Sequence, residues 1–346
     1  MRELSKRLCR FCAVALLWAA PQAFAEKTDI VELVNGDSIT CEIQNLERGR
    51  LEVKTDSFGT VFIEWKDIVR VTSRQFFVVE LQNGNRYEGS LVRPEDEGEL
   101  MLVKPGEQQV FAMNDVVRID LLVLADERIE RWDGSVSLGF DAAKANNNVS
   151  LSASFDARQR GEDFVLSFNG SVYSRSQDDL EDSLRANLGG IYRGLLEERW
   201  FWAVLGGLER NDELGIDLRS QLGGGYGRFL VQNNRSLWSV LAGVTIVNEQ
   251  RAGDESAENN IEGLLNTEYE YFTYDTPKTT FKVGLSLFPG ITESGRIRAE
   301  TNLGLRRELI EDLFLDISFY GSYDNEPPEE GEKSDYGVVT SLGYSF

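Results

Sequence analysis

The chain has 346 residues, 58 acidic against 36 basic, no histidine, and a formal net charge of −22 at pH 7. A surface this acidic repels nucleic acid, so we expect no nucleic-acid partner. Without histidine, the histidine-dependent nucleophilic and acid–base sites of many hydrolases cannot form.

The N-terminal segment 1–25 has the layout of a secretory signal peptide. Basic residues open the segment, residues 11–20 form a short apolar run, and Ala23-Phe24-Ala25 supplies small residues around a cleavage point. The run is shorter than the roughly 20 residues that a spanning helix needs. Cleavage would remove four basic residues and Glu3, which changes the formal charge from −22 to −25. No later apolar run is long enough for a spanning helix, so we expect an exported protein that is either soluble or a β-barrel.

Cysteine usage excludes an intrachain disulfide in the exported protein. Cys9 and Cys12 leave with the signal peptide, so Cys41 stands alone. Cys41 occupies an alternating strand position, and we expect a small, half-buried structural residue rather than a reactive thiol.

Residues 26–127 contain an internal duplication. The pair Asn35-Gly36 recurs as Asn83-Gly84, and Asp67 recurs as Asp115 at the same offset along the chain. Each Asn-Gly pair lies between alternating apolar runs, which is a strong hairpin signal. The sequence therefore predicts a duplicated Sm-like or SH3-like β module with about five short strands in each copy.

The duplicated module carries no catalytic motif, and modules of this size commonly bind or scaffold other proteins. We therefore expect a periplasmic protein partner for it. Arg70 recurs as Arg118 at the offset of the duplication, and we expect both side chains to be exposed.

From residue 128 to 346 the sequence alternates with period two in about twelve segments, each near the roughly 9–11 residues that cross a bilayer as a tilted strand. An even number of such segments is typical of bacterial outer-membrane barrels. The sequence predicts a transmembrane antiparallel β-barrel; a soluble secreted β-sandwich or barrel is the alternative. The segments are 134–143, 148–157, 164–174, 184–194, 200–209, 218–229, 237–247, 261–272, 279–288, 295–306, 313–323 and 335–346.

The links between the segments alternate in character. The long acidic links all fall in one set and the short links in the other, which is the asymmetry of outer-membrane barrels with short periplasmic turns. Tyrosine and tryptophan residues near the segment ends could form the interfacial girdles. We therefore expect location in the outer membrane, with the module in the periplasm.

The inward positions of the predicted barrel carry charges of both signs. The candidate lumen residues are Arg185, Arg219, Glu268, Glu270, Lys282, Arg298, Glu300 and Asp316. They could pair into a network that closes the barrel, or line a narrow, porin-like pore with a transverse field.

The sequence ends in GVVTSLGYSF, and its alternate residues Val338, Leu342, Tyr344 and Phe346 give the last strand an apolar outward face. In outer-membrane barrels, a last strand of this kind is the pattern that the barrel-assembly machinery recognises. We expect these four residues to be an assembly signal, and the machinery to be a partner.

No catalytic, cofactor-binding or metal site is predicted, and we expect a protein that is not an enzyme. The glycine-rich stretch GGGYGRF lacks the Gly-Lys-Ser/Thr ending of a phosphate loop and lies in a predicted strand. The acidic links are more typical of solvated charge than of a defined calcium site, although they could share weakly bound divalent cations with lipopolysaccharide phosphates.

The stretches LGGIYR and LGGGYGRF, the acidic links and the ending LGYSF form a distinctive set within residues 132–346. In these features the chain resembles the family of salt-induced outer-membrane proteins, Gram-negative β-barrels of undetermined function. The resemblance implies contact with outer-membrane lipid and lipopolysaccharide, and a link to salt or osmotic conditions. Two roles stay open: a narrow pore or structural envelope protein, and a membrane anchor whose module contacts an envelope partner.

Overall fold

The computed structural model describes residues 27–122, 132–143, 148–161, 163–176, 183–253, 257–274, 277–327 and 332–346. The predicted signal peptide and the predicted domain boundary at 127/128 lie outside these ranges. The described chain is all-β, with a small sheet over residues 29–121 and a closed barrel over residues 132–345. In those ranges, no helix is long and apolar enough to cross a membrane.

The N-terminal module is a nine-stranded sheet that partly closes on itself, because β9 pairs with both β2 and β5. One-turn 3-10 helices at Trp65–Asp67 and Met113–Asp115 precede β5 and β9. The strands are β1 (Asp29–Leu33), β2 (Ser38–Glu47), β3 (Arg50–Thr55), β4 (Gly59–Glu64), β5 (Ile68–Leu81), β6 (Arg86–Val92), β7 (Glu99–Lys104), β8 (Glu107–Ala112) and β9 (Val116–Leu121).

The predicted duplication is confirmed by the strand registers. Glu32 lies opposite Arg70 in the first copy, and Glu80 lies opposite Arg118 at the equivalent positions of the second. A register shift follows Glu32 in one copy and Glu80 in the other. The expectation that both arginines are exposed was wrong. Their side chains are only 15% and 11% accessible, because each pairs with a carboxylate on the sheet.

The core of the module is complete within the module. It is built from buried residues between Val31 and Ile119, among them Leu46, Phe77 and Leu100. Cys41 belongs to this core and is fully buried rather than half-buried. Burial raises the pKa of the Cys41 thiol to about 12, so the thiol is unreactive at neutral pH.

The C-terminal part is a closed antiparallel barrel of twelve strands, which confirms the fold class and all twelve predicted segments. The strands are β10 (Trp132–Ala143), β11 (Asn148–Arg160), β12 (Phe164–Ser176), β13 (Ser183–Leu195), β14 (Trp200–Asn211), β15 (Ile216–Gln232), β16 (Ser236–Arg251), β17 (Glu258–Thr273), β18 (Thr279–Pro289), β19 (Ile297–Ile310), β20 (Leu313–Asp324) and β21 (Ser334–Ser345).

Apolar side chains cover the outside of the barrel. Leu138 and Val338, for example, are 71% and 67% exposed. In the strands that are apolar on both faces, burial shows which side chains point inward. In β14, Trp202 points outward, whereas Phe201 and Ala203 are buried inside the barrel. The glycine-rich stretch GGGYGRF lies within β15, as part of the barrel wall.

The two ends of the barrel differ. We call the end with the short links at 161–163, 196–199, 233–235, 274–278 and 311–312 the turn end. The opposite end, with links at 144–147, 177–182, 212–215, 252–257, 290–296 and 325–333, is the loop end. The chain enters and leaves the barrel at the turn end, so the module is covalently attached on that side.

The barrel closes where β10 meets β21. Four residue pairs, from Ser135–Ser345 to Leu138–Leu342, form this seam, against nine between β17 and β18. Two further backbone hydrogen bonds of 3.0 Å join Gly134 and Phe346. The Phe346 ring lies over Gly134, where a Cβ atom would come within 2.6 Å of the ring. Phe346 therefore extends a short seam by one pair.

We expect deletion of Phe346 to leave export intact but to reduce the amount of assembled barrel, because the seam loses two of its backbone hydrogen bonds and its terminal aromatic contact. The readouts are the amount of protein in the outer membrane and heat-modifiable migration on a gel. The control is Tyr336→Ala, an outward residue at the far end of β21 that is 73% exposed. Normal levels without Phe346 would contradict the assembly-signal interpretation.

Candidate functional site

The module lies against the turn end of the barrel and contacts it through polar groups. Glu80 of β5 is 6% exposed and accepts hydrogen bonds from Arg160 Nη2 at 2.7 Å and Gln232 Nε2 at 2.5 Å, both from the barrel. Burial opposes ionisation of Glu80, but Arg160 and Arg86 outweigh burial and lower the pKa of the carboxyl group. Glu80 is therefore a buried carboxylate shared between the two parts of the chain.

A second group of contacts surrounds the β2–β3 turn. Arg48 Nη2 lies 3.2 Å from Glu270 Oε1 on β17, and its guanidinium stacks over the Phe272 ring at 5.3 Å. The turn fits closely on the barrel link at 233–235, since a Cβ atom on Gly49 would lie 2.8 Å from the carbonyl oxygen of Asn234. Asn234 Nδ2 also donates to the Val116 carbonyl at 2.9 Å.

At the loop end, buried charges form a layer across the inside of the barrel. Arg296 is 2% exposed, and its Nη2 lies 2.6 Å from Asp324 Oδ2 and 3.0 Å from Glu249 Oε1. Arg298 makes two parallel bonds to Glu262, at 2.9 and 2.7 Å. Such fork geometry fixes both side chains, so the layer is an ordered part of the interior.

Two further contacts of this layer join strands that have at least three others between them. Arg185 Nη1 on β13 lies 2.7 Å from Asp335 Oδ2 on β21, with β10, β11 and β12 between them in the barrel order. Arg219 Nη2 on β15 lies 3.8 Å from Asp324 Oδ2 on β20. Side chains from opposing parts of the wall therefore meet inside the barrel, and the lumen is occluded at this level.

A cavity of about 1670 Å³ lies between the charge layer and the module. Buried apolar side chains fill one side of the barrel interior, with Phe201, Phe229 and Phe288 among them. Polar residues such as Ser154, Asn169 and Ser318 line the cavity elsewhere. We call this cavity the chamber; both polar and apolar groups line it, and ion pairs lie at its loop end and at the contact with the module.

The structure brings most of the predicted lumen residues to this chamber. Seven of them line it, namely Arg185, Arg219, Glu268, Glu270, Lys282, Glu300 and Asp316. Arg298 lies buried in its pair with Glu262. Several face a counter-charge: Glu268 accepts from Arg193 at 2.8 Å, Asp316 lies 3.4 Å from Arg306, and Lys282 lies 3.8 Å from Glu270.

Three residues of the site were not predicted from the sequence. Glu249 and Asp324 belong to the charge layer at the loop end, and Glu80 belongs to the contact between the module and the barrel. Glu249 and Asp324 fall in or beside links of the predicted barrel, but β16 and β20 extend far enough to turn both side chains inward. Counting on in twos from Val247 would have found Glu249. Glu80 carries no sequence signal of its role, because its barrel partners are distant in sequence.

Some predicted features stay untested. The acidic residues 178, 179, 181, 182, 329 and 330 lie outside the described ranges. Within those ranges, no group of three or more acidic or cysteine side chains is arranged to hold a metal. Of the predicted assembly signal, Leu342 and Tyr344 pair with β10 across the seam, while Val338 pairs with Phe319 of β20.

These features define a class: a closed twelve-stranded β-barrel with an apolar exterior and a charged, occluded interior. Residues 136–346 match the family described as "Protein of unknown function, DUF481", and the chain belongs to that family. No curated protein shows significant similarity to the chain.

Several solved structures resemble the barrel over 62% of this chain. They include the NanC porin (8% identity, TM-score 0.37, 98% of that chain), a bacterial polysaccharide outer membrane secretin (7%, 0.33, 97%) and the β domain of the Bordetella autotransporter BrkA (11%, 0.33, 97%). With TM-scores below 0.5, these resemblances say nothing about what this protein does.

Substituting Arg296 with glutamine should destabilise the barrel by up to about 3–5 kcal/mol, because the buried Glu249 and Asp324 would lose one shared counter-charge, with Arg219 as their remaining common partner. The measurement is the urea midpoint of the folded, heat-modifiable form in detergent. Arg210→Gln is the control, since Arg210 pairs with Asp212 at 49% exposure, where about 0–1 kcal/mol is expected. Equal effects of the two substitutions would contradict an ordered charge layer.

Acid should weaken the docking of the module. Burial alone raises the pKa of Glu47, but Arg118 and Arg158 outweigh it and lower the pKa from 4.5 to about 2. Arg118 belongs to the module, whereas Arg158 lies on the barrel, 3.9 Å from Glu47. The share of the lowering that the barrel supplies stabilises the docked state fully above about pH 4.5 and is lost as the pH falls toward 2. We expect module protection in hydrogen exchange to fall over that window, and less steeply in Glu47→Gln. Identical profiles would contradict this prediction.

Proposed function

We propose that the protein is a β-barrel of the Gram-negative outer membrane. The support is physical: the described barrel pairs its strands into a ring, so the wall leaves no open sheet edge, and its exposed outer face is apolar. Only such a ring satisfies strand backbone groups within lipid. Exposed aromatic residues such as Trp200 and Tyr323 lie near strand ends, where interfacial girdles occur.

We propose that the turn end faces the periplasm and the loop end faces outward. Outer-membrane barrels have short turns on the periplasmic side and longer loops on the outer side. The short links of the turn end and the longer links of the loop end therefore support this orientation. It places the module in the periplasm, and it brings the acidic loops to the lipopolysaccharide surface, where shared divalent cations are the expected contacts. Assembly by the barrel-assembly machinery belongs to the same proposal.

Within the membrane, the role that the geometry supports best is a narrow polar pore held shut. The observation that carries it is the chamber of about 1670 Å³ between the charge layer and the module. A barrel with a purely structural role would favour an interior filled by side chains, because close packing stabilises it. The proposed role is non-enzymatic, in keeping with a sequence that lacks histidine.

We also propose a link to ionic conditions. Some contacts between the module and the barrel are partly exposed, such as Arg86 with Asp163, whose carboxylate is 79% exposed. Salt screens exposed pairs, with a Debye length of about 8 Å at physiological ionic strength. Higher ionic strength should therefore weaken the closure at the turn end more than the buried layer at the loop end.

A second candidate role is an anchor that holds the module at the inner face of the membrane for an envelope partner. The observation that favours it is the self-contained core of the module, which leaves the module able to act as a binding unit.

Planar-bilayer recording separates the two roles. We expect the wild-type protein to be silent, and the Glu80→Gln/Arg185→Ala/Asp335→Ala triple variant to show stepwise conductance, because it weakens both the module contact and the cross-lumen pair. The matched control is Glu80→Gln/Arg210→Ala/Asp212→Ala, in which the loop-end pair that is removed lies on the outer surface. A conducting wild type would refute the closed state, and a silent triple variant would favour the anchor.

A further inference from the structure

The contact between the module and the barrel is of a kind that can separate in water. Every residue of the module's buried apolar cluster lies between Val31 and Ile119, and every residue of the barrel's cluster lies between Phe201 and Phe288. Neither core crosses the contact, whereas ion pairs and turns do. Separation would therefore leave both apolar cores intact and would mainly hydrate charged groups.

The duplication supplies an internal reference for the separated state. Glu32 holds the position in the first copy that Glu80 holds in the second. Its carboxylate is held by Arg70 at 3.3 Å and by Arg93, both from the module. The second copy also has two arginines of the module beside its glutamate. Arg118 lies opposite Glu80 in the strand register, and the Nε atom of Arg86 lies 3.9 Å from the Glu80 carboxylate. Glu80 would not be left without a counter-charge if Arg160 withdrew.

The turn beside each glutamate differs in the same way. Gly84 of the second copy fits against the barrel, since a Cβ atom there would lie 2.5 Å from the backbone nitrogen of Arg199. Around Gly36, its counterpart in the first copy, the space is open. The turn at Gly84 in the second copy is thus docked on the barrel, whereas the equivalent turn at Gly36 in the first copy is undocked.

We propose that the module is a releasable plug for the turn end of the barrel, with Glu80, Arg160 and Gln232 as its latch. Release opens the chamber toward the side on which the module lies, while the charge layer keeps the loop end closed. This inference rests on the proposed shut pore, since a plug has meaning only if the loop end is occluded.

The test measures access to the chamber from outside. Ser318 lines the chamber and becomes a reporter in the Ser318→Cys variant, while the buried Cys41 gives little background. A bulky maleimide–polyethylene glycol reagent is added to folded protein in detergent, and labelling is read as a gel shift. We expect slow labelling in Ser318→Cys alone, and labelling at least about ten-fold faster when Glu80→Gln is added, because the buried latch loses its charge.

Glu32→Gln is the matched control: it is the same substitution at the equivalent position of the first copy, where the carboxylate is held within the module. It should leave labelling slow. The Glu80→Arg/Arg160→Glu exchange should restore slow labelling relative to Glu80→Arg alone. If a Glu80 variant loses heat-modifiable mobility, Arg160→Gln opens the latch from the barrel side.

The outcomes are distinct. Fast labelling of Ser318→Cys in the otherwise unchanged protein would overturn the shut pore itself. Slow labelling that stays equally slow in folded Glu80→Gln and Arg160→Gln would overturn the plug and leave the shut pore standing. Equal acceleration by Glu32→Gln and Glu80→Gln would also overturn it, because the effect would then come from the module as a whole.

Discussion

The ion pairs that cross the lumen are the interaction on which the interior depends. Closing twelve strands into a ring turns every second side chain inward, and many of those side chains are charged. A charge held away from water is stable only beside a counter-charge with good hydrogen-bond geometry. Arg185 with Asp335 and Arg296 with Glu249 meet that requirement, and in doing so they join parts of the wall that are not neighbours. The closed lumen is thus a consequence of how the barrel accommodates its own charges.

The strands could be predicted because their cause is local. Period-two alternation is written in consecutive residues, and the duplicated module was visible because its turn and strand-end residues recur at one constant offset. The sequence did not show which side chains point inward in strands that are apolar on both faces, such as the strand that carries Phe201 and Trp202. The exposure of Arg70 was misjudged for a related reason: a charged residue at a strand position says nothing about a carboxylate on the neighbouring strand.

The candidate site could be predicted only in part. Alternation identified the residues that point inward, but not their partners. Partners across the lumen depend on strand number and stagger, and these are properties of the whole ring. The docking of Glu80 on Arg160 and Gln232 joins segments that share no local pattern. It follows from the shape of two folded units, which a sequence does not display directly.

The short seam between β10 and β21 has a kinetic consequence. Each of the other strand pairs of the barrel joins neighbours in sequence and can form as a hairpin. The seam joins residue 135 to residue 345 and must wait until the whole sheet has curled, because closing so long a loop costs chain entropy before any hydrogen bond repays it. The barrel would therefore form as an open, curling sheet whose two free edges meet last. During that interval the polar interior and the unpaired edges are exposed together, and this is the stage at which the chain is most prone to pair with another molecule.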